Sequence, residues 1–210
     1  GKVLLHLGGR PLLQFLVERL EHSQRLHRIL VATSVHESDT PIADLCGELG
    51  IPVYRGSLGD VAGRFLGALD AWPLDGFVRV NGDSPLLDQR LVDEGILLFG
   101  EGSWDLVTNV SPRTYPPGES VEVVRSSTFR RAYPRMVSRE DREHVTRFFY
   151  ENPGDFSIRN FVSGTDYGDL HLAVDREEDL EVIRGILSRM VRPHWEYSLE
   201  EMVKIYQGLK

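Results

Sequence analysis

Phe77-Val-Arg-Val-Asn81-Gly82-Asp83-Ser84-Pro85 is the stretch whose reading decides the fold. A short apolar run over 77–81 reads as a strand, and the Gly-Asp turn that follows stops it. Asp88 then suits the cap of a helix running to about residue 99. The same rhythm extends outward in both directions. Gly8-Gly9-Arg10-Pro11 is a turn with Pro11 fit for the first helical position, and Leu12, Leu13, Leu16, Val17 and Leu20 follow at helical spacing. Residues 28–33 form a nearly continuous apolar run, as a buried parallel strand requires. Asp39 or Thr40 caps the next helix, with Pro41 just inside it and Gly50 just past its end. A strand at 51–54, a helix at 60–72 with Val61, Phe65 and Leu69 on one face, and a strand at 104–109 complete the alternation. It predicts an α/β fold whose sheet is open and mostly parallel, with helices on both faces.

Beyond Asn109 the rhythm breaks. Residues 112–118 form a loop with adjacent prolines, 121–124 a strand, and Ser126 or Ser127 starts a short helix. A longer helix is expected over 140–151, strands at 156–161 and 171–174, a strong helix from Asp175 to about Met190, and a final helix opened by a Ser198/Glu201 capping box. The reading is one domain over 1–210 with a small inserted subregion at about 111–162.

Composition fits this. The chain has 210 residues, 41% apolar and 27% charged, ordinary values for a globular domain. A net charge of -8 argues against a nucleic-acid partner, which would need a basic face, yet a few arginines in one cleft can hold a small anion. The single cysteine, Cys46, excludes an internal disulfide or a cysteine-rich zinc site. No apolar run is long enough to span a membrane and no secretory leader is read, so the cytoplasm is the expected compartment.

Two aspartates stand out. Asp83 closes a strand and lies too far before Asp88 for capping to explain it; in open α/β sheets ligands bind beyond the carboxyl ends of strands. An Asx-turn is the competing explanation. Asp175 also follows an apolar run, but with Glu178 it fits an acidic capping box. Together the two carboxylates could share one Mg²⁺, a hard ion that uses one or two carboxylates plus substrate phosphates. Both are therefore expected to lie close together. Residues 141–146, with Arg142 and His144, read on base rates as a solvated charge run, and Arg113, Tyr115 and Glu122 lie in or after a Pro-rich loop, where substrate contacts gather.

Taken in order, GKVLLHLGGRPLLQFLVERL, ILVATS, VYRGSLGDVAGRF, VRVNGDSPLLD, VTNVSPRTYPPGESVEV, DREHVTRFFYENP and LAVDREEDLEVIR resemble the acylneuraminate cytidylyltransferase family, most closely its spore-coat polysaccharide (SpsF-like) branch. The resemblance covers residues 1 to about 185. It implies a nucleotide-diphospho-sugar transferase (Rossmann-like) three-layer fold, and transfer of CMP from CTP to an acidic sugar with Mg²⁺ and release of pyrophosphate. Lys2 matches the lysine that closes the family's phosphate motif, and Asp83 and Asp175 the expected metal carboxylates. Thr33 and Ser34 border the base, and Asp60 and Arg64 match a polar pair facing the nucleotide. Asn109, Arg113, Glu122, Arg142 and His144 fall on the sugar side. The family carries a strand and an Arg-x-Gly-Ser-x-Arg-Leu-Pro loop immediately before this Gly-Lys. Both are expected to be omitted from the sequence rather than lost, since a missing central strand would leave a gap in the sheet.

The alternatives are another sugar nucleotidyltransferase using UTP or GTP, a glycosyltransferase of the same fold, or a non-catalytic relative. A homodimer through residues 111–162 is expected, because Phe148-Phe149-Tyr150 exceeds what a small insert buries alone.

Overall fold

The computed structural model describes residues 1–209. After a short hairpin, β1 (His6–Leu7) with β2 (Arg10–Pro11), the order is α1 (Leu12–Glu21), β3 (Val31–Ser34), α2 (Thr40–Glu48), β4 (Val53–Gly56), α3 (Val61–Ala71), β5 (Gly76–Arg79), α4 (Gln89–Gly100) and β6 (Leu106–Thr108). Then come β7 (Glu122–Arg125), α5 (Ser126–Ala132), α6 (Arg139–Glu143), α7 (Arg147–Glu151), β8 (Ile158–Asn160), α8 (Glu177–Ser188) and α9 (Leu199–Gln207). Single turns of 3-10 helix at Lys2–Leu4 and His194–Glu196 frame the two ends.

The sheet is mixed. β3 and β4 pair in parallel, while a second, four-stranded piece runs β5-β7-β6-β8. β7 is antiparallel to both β5 and β6, and β8 is parallel to β6. The stretch 111–162 thus supplies two strands of the second piece, and one of them, β7 between β5 and β6, is the strand that makes an otherwise parallel sheet mixed. Among the described residues β3 bonds only to β4 and β5 only to β7, and their Val31, Val53 and Val78 side chains stay half-buried.

Strand alternation sorts side chains to two cores. Val107 and Val123 face one with α1, α4, α8 and α9; Leu106 and Val124 face the other with α3, α5 and α7. Phe148 and Phe149 are buried in this second core of the same chain, so they offer no apolar surface to a partner. The argument for a dimer from that run fails because α3 and α5 already cover it.

Two expected elements differ. The helix over 140–151 is broken into α6 and α7, with Val145 at φ 39° between them. A β-branched residue resists that conformation; here the fully buried Val145 side chain anchors the break in the second core. Residues 171–174 form no ladder. Instead the Leu172 N–H donates to the Pro117 carbonyl at 2.7 Å and the Val174 N–H to the Asp83 carbonyl at 2.8 Å. Those bonds lay the segment carrying Asp175 against the Asp83 turn.

Candidate active site

Lys2, Asp83 and Asp175 meet at one point. The Lys2 Nζ lies 2.7 Å from Asp83 Oδ2 and 2.9 Å from Asp175 Oδ1. The turn of 3-10 helix at Lys2–Leu4 brings the ammonium there, and Gly82 packs closely on Val3 beneath it. Capping does not account for Asp175. Asp179 takes that role, its Oδ2 accepting from the Asp175 and Arg176 N–H groups at 2.9 and 2.8 Å. The Asp175 carboxylate is left to face Lys2 and, at 3.2 Å, the His171 Nε2. The Lys2 hydrogen bond holds the Asp175 carboxyl below the usual range. Burial alone would weaken the Lys2 ammonium, but its bonds to Asp175 and Asp83 raise it.

A cation already sits between two carboxylates that lie far apart in the sequence, so the donor set suits a hard cation. His171, Asp175 and Asp179 also lie within 4.8 Å of one another. Mg²⁺ prefers oxygen ligands, and Asp179 is occupied by backbone N–H groups, so Asp83 and Asp175 are the pair that fits it. His171 joins this cluster through the non-helical course of residues 171–175, which no periodicity in the sequence signals.

The residues expected on the nucleotide side are held by one another and by their neighbours. Asp39, read as a helix cap, makes no cap bond. Its Oδ2 accepts from the Ser34 Oγ at 2.6 Å and the Thr33 Oγ1 at 3.2 Å, fixing the end of β3. Ser34 is the main cause of a lowered Asp39 carboxyl. Asp60 does cap α3, through the Gly63 N–H at 2.6 Å. Its other oxygen accepts from the Tyr133 hydroxyl at 2.7 Å and the Arg142 Nη1 at 3.0 Å. Arg142, stacked 3.8 Å over the Tyr133 ring, thus pairs with Asp60 and not with Asp141 or Glu143. Arg64 donates to the Ser57 and Leu58 carbonyls; burial lowers its pKa, with Asp39 and Asp60 opposing.

At the matching end of the second sheet, register puts Arg79, Glu122, Thr108 and Asn160 in one row across four strands. Glu122 is buried and accepts from Arg79 and from the Tyr150 hydroxyl, each at 2.6 Å. Burial, then the Glu122 charge, pushes the Tyr150 hydroxyl strongly up, so it stays protonated as a donor. Asn109 is fully buried, its amide clamped between the Glu119 carbonyl and the Val121 N–H. The structure therefore turns Asn109 and Glu122 inward. Arg113 is exposed, touching the Ser120 hydroxyl at 3.1 Å, and His144 is exposed at the break after α6.

A family profile described as cytidylyltransferase matches residues 1–208. The chain belongs to the cytidylyltransferase family. A solved cytidylyltransferase structure from Leptospira borgpetersenii superposes on this family member with a TM-score of 0.93 at 26% identity, over 100% of this chain and 88% of that one. A CMP:2-keto-3-deoxy-manno-octonic acid synthetase solved with CTP shares the fold, with a TM-score of 0.68 at 18% identity over 90% of this chain and 92% of that one. The spore coat polysaccharide biosynthesis protein SpsF of Bacillus subtilis is 29% identical over 90% of this chain and 80% of its own length. An uncharacterised protein of Methanocaldococcus jannaschii is 38% identical over 75% of this chain, a match spanning 64% of that relative. By family, then, this cytidylyltransferase is a nucleotidyltransferase of α/β nucleotide-sugar transferase-like fold. Among its described residues no helix is long and apolar enough to cross a membrane.

Proposed function

We propose that this chain transfers CMP from CTP to an acidic sugar and releases pyrophosphate, in the cytoplasm, supplying surface polysaccharide synthesis. The observation that carries the reading is the Lys2 ammonium pinned by Asp83 and Asp175 on a cytidylyltransferase fold. The sugar hydroxyl oxygen attacks the α-phosphorus and the bond to pyrophosphate breaks, so positioning and charge stabilisation dominate. Lys2 offsets the negative charge that builds on the leaving pyrophosphate. Asp83 and Asp175 would hold Mg²⁺, which when bound neutralises phosphate charge. Thr33, Ser34, Asp60 and Arg64 shape the nucleotide side. Exposed Arg113 and His144, with Arg142 behind them, receive the sugar carboxylate, a guanidinium gripping it through two parallel bonds. A two-fold dimer through 111–162, where Val137 is 87% exposed, completes the reading, and a monomeric mass by light scattering would reject that part.

The test is pyrophosphate release with each nucleoside triphosphate against a panel of sugar acids that includes 3-deoxy-manno-octulosonate. Release should need CTP and an acidic sugar, and Asp83→Asn should abolish it. Equal release with UTP or GTP, or with neutral sugars, would overturn the proposal. Arg113→Ala should raise the sugar KM about tenfold or more, as loss of a charge-assisted contact does, and leave the CTP KM unchanged.

A further inference from the structure

The cytidylyl-transfer reading leaves unused a cavity of about 440 Å³ between the β1–β2 hairpin, the start of α1 and the end of α8. That volume suits a ligand of metabolite size. It is separate from the Lys2 site: α8 starts beside Asp175 and first meets the cavity at Arg184, about 10 Å further along its axis at 1.5 Å per residue.

Its lining has one sign of charge. Arg10, Arg184 and Arg192 face it and, among the described residues, no carboxylate lines it, in a chain of net charge -8. Each arginine has a glutamate elsewhere: Arg10 with Glu18, Arg184 with Glu181, Arg192 with Glu201. The Arg184 and Arg192 pairs are half-exposed on both sides. Such pairs hold weakly, and a guanidinium exchanges a solvated carboxylate readily for an oxyanion it can grip in a less watery place. One wall is aromatic. Phe15 and His194 rings lie 5.1 Å apart, and His194 and Trp195 rings 5.0 Å. His194 is only 5% exposed, and Leu187 and Met190 extend the apolar surface. The rings are tilted on one another, by 59° and 76°, so a guest meets ring edges together with the Leu187 and Met190 side chains, and area burial holds its apolar part there.

We propose that this cavity is a second ligand site, for a small anion with an aromatic body, whose charge is held by Arg184 and Arg192 and whose apolar body packs against Leu187, Met190 and Trp195. The site stands apart from CTP and sugar binding, so its failure would leave the proposed reaction untouched.

The chain has three methionines, of which Met190 lines the cavity while Met136 and Met202 are fully buried in the two cores. Labelling the methionine methyls with ¹³C therefore gives a local reporter with internal controls. With 1-naphthyl phosphate as probe, the Met190 resonance should shift saturably at sub-millimolar concentration while that of Met136 stays still. The neutral 1-naphthol and inorganic phosphate should each leave Met190 unmoved at the same concentration. Arg184→Gln with Arg192→Gln should weaken the probe at least tenfold, and Leu187→Trp, which fills the cavity, should abolish the shift. No Met190 shift at millimolar probe, an equal shift with 1-naphthol, or undiminished affinity in the arginine variants would overturn the proposal. The arginines are exposed, so those variants should keep the parent melting temperature; if the double variant fails to fold, Arg184→Gln alone carries the same test.

Discussion

Two places in this molecule set a cation among carboxyl groups, and they differ most in burial. Lys2 meets Asp83 and Asp175 where the lysine side chain is 43% exposed. Arg19 is wholly buried in α1, 3.9 Å from Asp88 and under the field of Glu119. Arg19 also donates to the Leu87, His194 and Tyr197 carbonyls, while Asp88 accepts from Leu199 and Arg90 N–H groups. This fastens α1, the start of α4 and the start of α9 to one another. Burial, then the Asp88 charge, drives the Glu119 carboxyl well above its ordinary range. The dry cluster cannot exchange a partner without stranding a charge. At the wet one, water can replace whichever partner leaves, and a metal or phosphate can enter. Burial, more than residue type, separates a fastening from a cluster open to ligands.

The comparison can be broken most sharply at Arg19. Arg19→Met should cost about 3–5 kcal/mol, the scale for removing one member of a buried ionic group, read by urea unfolding; a loss below 1 kcal/mol would erase the distinction drawn here. Gly118→Ala should come next, at roughly 3 kcal/mol. Gly118 has φ 104°, and a Cβ there would stand 2.4 Å from the Leu172 backbone carbon. That segment leads to Asp175, so the loss should spread from the Glu119 side to the Lys2 site, and thermal melting together with turnover measures both. Lys2→Ala should reverse the pattern. Stability should change by less than about 1 kcal/mol, as for exposed pairs, while kcat falls on the order of a hundredfold.

The smallest effect sharpens the same contrast. Asp175 has a lowered carboxyl, so the Lys2 pair contributes fully above the unfolded pKa and is lost as pH falls through the lower folded one. A ¹³C carboxyl titration without Mg²⁺ should place the Asp175 midpoint below its ordinary 3.8. In Lys2→Met that midpoint should move up; an unmoved one would mean that Lys2 does not set it.

Much of the wet site could be read from the chain, because Asp83 and Asp175 each end an apolar run and Asp88 and Ser198 cap the helices expected of them. The dry cluster could not. Arg19 sits among leucines at a spacing that fits either helix face, and Glu119 in a Pro-Gly loop gives no sign of complete burial. Asp39 looked like a cap because local rules stop at the helix, whereas its partners Thr33 and Ser34 belong to a strand end. The antiparallel course of β7 and the break at Val145 are likewise decided by packing against distant elements, to which periodicity is blind.

The Lys2–Asp175 bond joins residues 173 positions apart. Contacts of that span close only after most of the chain's entropy has been given up, and they lag behind local ones during folding. On the ribosome, Lys2 emerges well before the carboxylate it bonds. The Lys2–Asp175 pairing is thus made among the later contacts, and a chain released before residue 175 would lack both that carboxylate and the α8 and α9 side of its first core.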